Sequence, residues 1–147
     1  MLQQGLGTIV CKHILFIHAF LGCDTTSAIF GTGKVVIFTK ILQGNKLLIQ
    51  QGDIFLAENS TVTELISTRE NALLQLCNIK LRNLYDLRYH RFCEKVTKST
   101  SQIDLKRLPP TAAAMSYHNL RVFLQIQQWK EHSLCPELWG WKKVDPH

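Results

Sequence analysis

The chain has 147 residues, 46% of them hydrophobic, and a formal net charge of +6. That length holds one domain or a fragment of a larger one, and the hydrophobic content excludes an intrinsically disordered chain. The basic balance permits an anionic partner such as nucleic acid, although many basic proteins bind none.

The cysteines and the apolar runs predict an intracellular protein, nuclear or cytoplasmic, without a membrane partner. Five cysteines without regular spacing do not resemble a disulfide framework, so reduced thiols are expected. The apolar run 14–21 is far shorter than the roughly twenty residues that a membrane-spanning helix needs.

The first predicted elements are three helices. The first covers Ile9 to Leu21 and ends at Gly22, because glycine readily adopts the left-handed conformation that closes a helix. The second covers Lys34 to Gln43. The third covers Lys46 to Glu58 and is weakened at Gly52 by about 1 kcal/mol relative to alanine.

A capping box predicts the start of the next helix. Ser60 or Thr61 caps it, with Glu64 near the third helical position. This helix is expected to continue to about Lys80, with Cys77 as a small core residue.

Two prolines, Pro109 and Pro110, enforce extended backbone before the longest predicted helix, 111–132. The tryptophan-containing tail after it is expected to fold back. The predicted fold class is therefore mainly α, a single helical domain or fragment over 1–147. Its parts are an N-terminal turn region (1–44), a helical basic region (45–107) and a C-terminal helix with its tail (108–147).

Glycines flank a tight turn before the second helix. Backbone amides after Gly31 and Gly33, together with the charge of Lys34, suit a phosphate oxygen. This predicts a helix-hairpin-helix-like grip on a DNA or RNA backbone rather than on bases. An NTPase phosphate loop needs four residues between its glycines and a hydroxyl residue after the lysine. Only Thr32 separates these glycines and Val35 follows the lysine, which excludes nucleotide hydrolysis on this motif.

The segment 80–107 is the most basic part of the chain. Tyr85, Tyr89 and Phe92 share one helical face within it. The favoured interpretation is a core-facing aromatic stripe with a solvated charged side. The alternative is a basic surface for nucleic acid phosphates. The candidate binding residues of that surface are Arg88, Arg91, Lys106 and Arg107.

Metal-dependent nuclease chemistry requires several carboxylates around one or two divalent ions. Asp24 stands in a motif, but the other acids form no evident cluster in the sequence. A lone carboxylate cannot hold Mg²⁺ or Mn²⁺ competently, so the chain is not expected to be an enzyme by itself. Asp24 is a metal ligand only within a larger site, and otherwise a helix cap.

Two alternatives concern histidine and cysteine. Cys23 near His18 could act as a nucleophile, but no third orienting group is identifiable. Two pairs have spacing compatible with zinc, although they fall in different predicted elements. They are His90 with Cys93 and His132 with Cys135.

Several boxes carry a family resemblance. The segment 18–34 contains H-A-F-L-G-C-D-T-T-S and ends on G-T-G-K. The segments 83–89, 108–111, 125–129 and 140–142 follow in order, the second reading L-P-P-T and the last G-W-K. Together they resemble an open reading frame family associated with mobile elements.

A more distant resemblance concerns Gly22-Cys23-Asp24 and the glycine turn after it. These residues are similar to the end of the catalytic part of flap-endonuclease-like (PIN-like) nucleases. The resemblance implies that Asp24 matches the last acid of that site, with the earlier acids in sequence before Met1. The expected function is that of a nuclease-like fragment that binds nucleic acid without sequence specificity. The alternative is a structural or protein-interaction module, or a decayed copy.

Overall fold

The computed structural model describes residues 6–23, 26, 34–77, 82–98 and 102–145, without the side chains of 6–10, 34 and 106. Seven α-helices and two 3-10 turns form this part of the chain, which contains no strand. The α-helices are α1 (Leu6–Phe20), α2 (Lys34–Leu42), α3 (Lys46–Leu56), α4 (Val62–Ser67), α5 (Asn71–Leu76), α6 (Leu84–Lys98) and α7 (Ala112–Trp129); the 3-10 turns are Leu105–Arg107 and Pro136–Leu138. The predicted mainly α single domain is confirmed.

One hydrophobic core unites these helices. The helix α1 packs against α2, α3 and α7, and α3 also packs against α5. Phe16 and Phe20 lie four residues apart on one face of α1, the spacing that places side chains side by side. The ring of Phe55 on α3 meets both, with centroids 5.1 Å from Phe16 and 6.2 Å from Phe20. All three rings are fully buried.

Two polar side chains, one near the end of α7 and one directly after it, pair with carbonyls at the end of α3. The last carbonyls of a helix have no partner within it. The Nε2 amide of Gln127 donates to the carbonyls of Phe55 and Ala57 at 3.3 and 3.1 Å. Lys130 Nζ donates to the carbonyl of Leu56 at 2.7 Å. Because Gln127 is itself buried, these bonds satisfy its amide N–H group, while its Oε1 has no hydrogen-bond partner among the described residues.

The capping box is confirmed, but the long helix predicted after it is wrong. Glu64 N donates to Thr61 Oγ1 at 3.2 Å, and Glu64 Oε2 accepts from Thr61 N at 2.8 Å. The helix then stops at Ser67. The hydroxyls of Ser67 and Thr68 both donate to the Glu64 carbonyl, at 2.9 and 3.0 Å. Such bonds offer the backbone an alternative to helix, so a turn over 68–70 separates α4 from α5.

The C-terminal tail folds back onto α7, as predicted. The ring of Trp139 lies 4.6 Å from that of Phe123. Arg121 Nε donates to the Gly140 carbonyl at 2.9 Å, and its guanidinium lies 4.8 Å from the Trp141 ring centroid. Gly140 has a φ of 89°. Glycine suits this position because that conformation strains residues with a side chain.

His118 joins α7 to the end of α1. Its Nε2 donates to the Phe20 carbonyl at 2.8 Å, and its ring meets Phe20 edge-on at 5.4 Å. Burial lowers the pKa of His118 below its ordinary value of 6.5, because an apolar site disfavours the charged imidazolium.

We expect this histidine to weaken the fold in acid. The unfolded chain binds the proton at a higher pH than the folded chain, so stability is retained above about pH 6.5 and declines below it, by up to about 1.4 kcal/mol per pH unit. Urea unfolding at neutral and mildly acidic pH measures this decline. His118→Gln should flatten it, whereas His90→Gln at an exposed site should not. An unchanged pH dependence in His118→Gln would contradict the assignment.

Candidate nucleic-acid interface

The glycine turn and its acid lie outside the described residues. This applies to Asp24, Gly31 and Gly33, and so to the predicted helix-hairpin-helix detail. Lys34 is the first residue of α2, and its side chain also lies outside the description. The predicted backbone grip at this turn therefore stays a prediction.

The described flank of this turn is closed by local hydrogen bonds. Gly22 has a φ of 111°, as its predicted role in ending α1 requires. The buried hydroxyl of Thr26 donates to the Ala19 carbonyl at 2.6 Å and accepts from Cys23 N at 3.1 Å. The hydroxyl of Thr26 therefore holds the chain against the end of α1.

The histidine and cysteine proposed as a nucleophilic pair have other contacts. Cys23 Sγ lies 3.1 Å from Thr26 Oγ1. The ring of His18 stacks on Trp129 with centroids 5.4 Å apart and planes 13° apart. These contacts give both residues a role in packing the end of α1.

Two predicted binding residues on α6 form contacts within the protein. The guanidinium of Arg88 donates to the Pro109 carbonyl, which fixes the segment that precedes α7. Arg91 Nη1 donates to Glu94 Oε2 at 3.0 Å. This hydrogen bond lowers the pKa of Glu94. Arg88 thus helps to seat α6 and Arg91 is paired with a carboxylate of its own helix, which leaves both with less capacity for a ligand.

A cleft of about 560 Å³ separates the C-terminal half of α6 from the segment 102–107. Its lining carries three cations and two carboxylates. The lining residues are Glu94, Lys95, Lys98, Gln102, Ile103, Asp104 and Arg107.

Neighbouring groups partly balance the cations of this cleft. Arg107 Nε lies 3.9 Å from Asp104 Oδ2, and Lys95 Nζ donates to the Arg107 carbonyl at 3.3 Å. Lys98 is exposed at the end of α6. Lys95 and Lys98 share one helical face, since they are three residues apart. The cleft can therefore hold a phosphate mainly through these two ammonium groups.

The aromatic side chains of α6 point away from the core, so the core-facing interpretation of this stripe is wrong. Tyr85 is 77% exposed, Tyr89 is 65% exposed and Phe92 is 38% exposed. The buried face is formed instead by Leu84 and Leu87, both fully buried. A helix only half covered by the core can bury one of its two apolar faces, and the aliphatic face packs against it.

Sequence reasoning missed Lys95 and Lys98 as site residues, although it included them in the basic segment. Their spacing of three residues near the end of α6 was the available signal. The fold adds Arg107 to them by running 102–107 beside α6. No local sequence pattern predicts this proximity, because it depends on the path that the folded chain takes after α6.

The proposed zinc pairs do not converge with further ligands. His90 Nδ1 lies 3.5 Å from Glu94 Oε1, and His132 Nε2 lies 3.0 Å from Glu58 Oε1. Within the described ranges, no group of three or more His, Cys, Asp or Glu residues is placed to share a metal ion. Asp24 lies outside those ranges.

No protein-family model, curated protein or solved structure matches this chain. Among the described helices, none combines the length and apolar character needed to cross a bilayer. The resemblance to the mobile-element family and to flap-endonuclease-like nucleases therefore stays a prediction.

Proposed function

We propose that this chain binds nucleic acid through its phosphate backbone, without sequence specificity, on the surface formed by α6 and residues 102–107. The observation that carries the proposal is the concentration of charge there. Residues 82–107 hold seven of the 17 Lys and Arg residues but only three of the 11 Asp and Glu residues. A basic surface of this kind gains affinity by releasing the cations condensed on the nucleic acid.

Several exposed cations contribute to this surface. Arg82 precedes α6 and is exposed, as are Lys98 and Arg107. Lys95 lines the cleft beside them. Because these residues contact charge rather than base edges, they supply affinity and position but no sequence preference.

The proposal also concerns the evolutionary origin of the chain and its expected lack of nuclease activity. The family resemblances support a transposon-derived, nuclease-like fragment, and five cysteines without regular spacing support a nuclear or cytoplasmic location. One motif carboxylate, Asp24, cannot supply the paired metal site that nuclease chemistry needs. Cleavage of labelled DNA by the purified chain with Mg²⁺ or Mn²⁺ would contradict this part of the proposal.

A salt titration tests the binding proposal. Affinity for a labelled mixed-sequence oligonucleotide is measured by fluorescence anisotropy from roughly 50 to 200 mM salt. Lys95→Gln/Lys98→Gln should lower the salt slope by about 1.4 on a single strand or 1.8 on a duplex, since each lost phosphate contact lowers it by about 0.7 or 0.9.

The matched control lowers the net charge of the chain by the same two units at a position away from the cleft. Lys142→Gln/Lys143→Gln removes two exposed lysines from the C-terminal tail and should leave the slope unchanged. An equal effect of both double variants would show that net charge alone acts. A wild-type chain that binds nothing at low salt would overturn the proposal.

A protein-interaction module is the second candidate function. Exposed apolar side chains on α2 and at the start of α3 favour it, namely Val35, Val36, Leu42 and Leu47. Sedimentation of wild type and Val35→Ser tests it. Self-association that the substitution abolishes would support this function, and a wild-type monomer over the same concentrations would remove the case for a self-binding module.

A further inference from the structure

The exposed stripe on α6 has a regular spacing. Tyr85 and Tyr89 are four residues apart, which is about 6 Å along a helix axis, and Phe92 follows about 4.5 Å further on. Val96 extends the same face by another turn and is also exposed. The stripe is therefore a row of three aromatic rings that ends in an aliphatic residue.

The packing of α6 fixes this row toward solvent. Leu84 and Leu87 are fully buried on the other side of the helix. Rotating α6 to cover the rings would expose both leucines to water, which is unfavourable because their burial stabilises the fold. The rings are thus presented outward by the same contacts that hold the helix in place.

Cations border one side of the row. At 100° per residue, Arg88 and Lys95 fall on the same flank of the stripe. Both reach carbonyls of the following segment, those of Pro109 and Arg107 respectively. The segment 102–110 therefore runs along this flank, and the exposed side chain of Arg107 lines the cleft together with Lys95.

The other flank differs in charge. It carries Asp86, His90 and Cys93 at the corresponding helical positions. The phenol of Tyr89 is neutral near pH 7, because the ordinary pKa of tyrosine is about 10 and Cys93 raises the pKa of Tyr89 further. The aromatic row therefore has cations along one edge only, and this edge can bind the phosphates of a single nucleic acid strand.

We propose that α6 binds single-stranded nucleic acid, with bases stacked on Tyr85, Tyr89 and Phe92 and phosphates along the edge formed by Lys95 and Arg107. This inference rests on the proposed backbone binding and adds the strand class and the residues that contact bases. Aromatic platforms beside basic grooves bind single strands because every base offers a π face.

A duplex fits this surface less well. Its bases stack on each other at 3.4 Å along each strand, so their faces are covered. The residues that carry the rings of α6 are spaced by about 6 and 4.5 Å along the helix axis, more widely than that, which suits bases that have separated. Stacking of this kind tolerates any base, in agreement with binding that lacks sequence specificity.

Two probes of equal charge separate base stacking from backbone binding. One is a labelled oligothymidylate strand, and the other is an abasic strand of the same length. Tyr85→Ala/Tyr89→Ala should weaken oligothymidylate binding at least about fivefold, and leave abasic binding and the salt slope unchanged. Tyr117→Ala is the control, since Tyr117 is an exposed tyrosine on α7 and should leave both affinities unchanged.

The outcomes distinguish the two proposals. If the wild type binds neither probe at low salt, the proposed function fails and this inference fails with it. If both probes bind equally well, or duplex binds as tightly as single strand, backbone binding survives and stacking is excluded. Self-association that Tyr85→Ala/Tyr89→Ala abolishes, without any preference for the strand with bases, would identify the row as a protein interface and overturn the inference.

Discussion

Replacing Phe55 with alanine is expected to lower the free energy of unfolding by about 3–5 kcal/mol. The ring packs against α1 and is fully buried, with Phe16 at 5.1 Å and Phe20 at 6.2 Å. Its removal takes away burial and leaves a cavity that rigid neighbours close only in part. Urea unfolding followed by tryptophan fluorescence measures the loss.

Two companion variants keep this prediction testable. Phe55→Leu should cost less, about 1–2 kcal/mol, since most of the volume remains, and it gives a measurable transition if the alanine variant does not fold. Phe92→Ala removes the same side chain from the exposed face of α6 and should change stability by about 0.5 kcal/mol or less. Equal losses for Phe55→Ala and Phe92→Ala would contradict the core described here.

Gly52→Ala is expected to lower the free energy of unfolding by about 1–2 kcal/mol, although alanine is the better helix former by about 1 kcal/mol. A Cβ at this buried position in α3 would lie 2.4 Å from His13 Cδ2 and 3.1 Å from Phe16 Cδ2. The imidazole cannot move away cheaply, because it is buried and its Nε2 lies 3.1 Å from Asp53 Oδ1. The glycine therefore permits the close approach of α1 and α3.

A double-mutant cycle tests whether the imidazole is the cause. In a His13→Ala background the 2.4 Å contact is gone and only the 3.1 Å contact with Phe16 remains, so Gly52→Ala should become close to neutral. Calorimetric or urea unfolding of the four proteins provides the coupling energy. The same loss from Gly52→Ala with and without His13 would show that the clash is not its cause.

Sequence reasoning was most successful where a local pattern determines structure. The capping box at Thr61 and Glu64 appears as predicted, and Thr111 caps α7 directly after the two prolines. These features depend on side chains within one turn of each other. The split between α4 and α5 is also local, but hydrophobic spacing does not reveal it, because it depends on two hydroxyls that compete for the Glu64 carbonyl.

The predictions for Gly52 and for the aromatic stripe of α6 depend on tertiary contacts, which local patterns do not describe. Propensity describes glycine as a weak point of α3, whereas the fold uses it to admit His13. Helical spacing groups Tyr85, Tyr89 and Phe92 on one face, but it also groups Leu84 and Leu87. Helical spacing shows which residues share a face of the helix, but it does not show which face packs against the core.

By itself, the sequence determined the mainly α class, the capped ends of several helices and the location of the basic segment. The tertiary structure decided which face of α6 is buried, which arginines are held by internal contacts, and which cations line the cleft. The physical reason is the separation in sequence over which each interaction acts. Caps and periodicity act within a few residues, whereas the seating of α6 depends on Pro109 and Arg107, and these reach α6 only through the path of the folded chain.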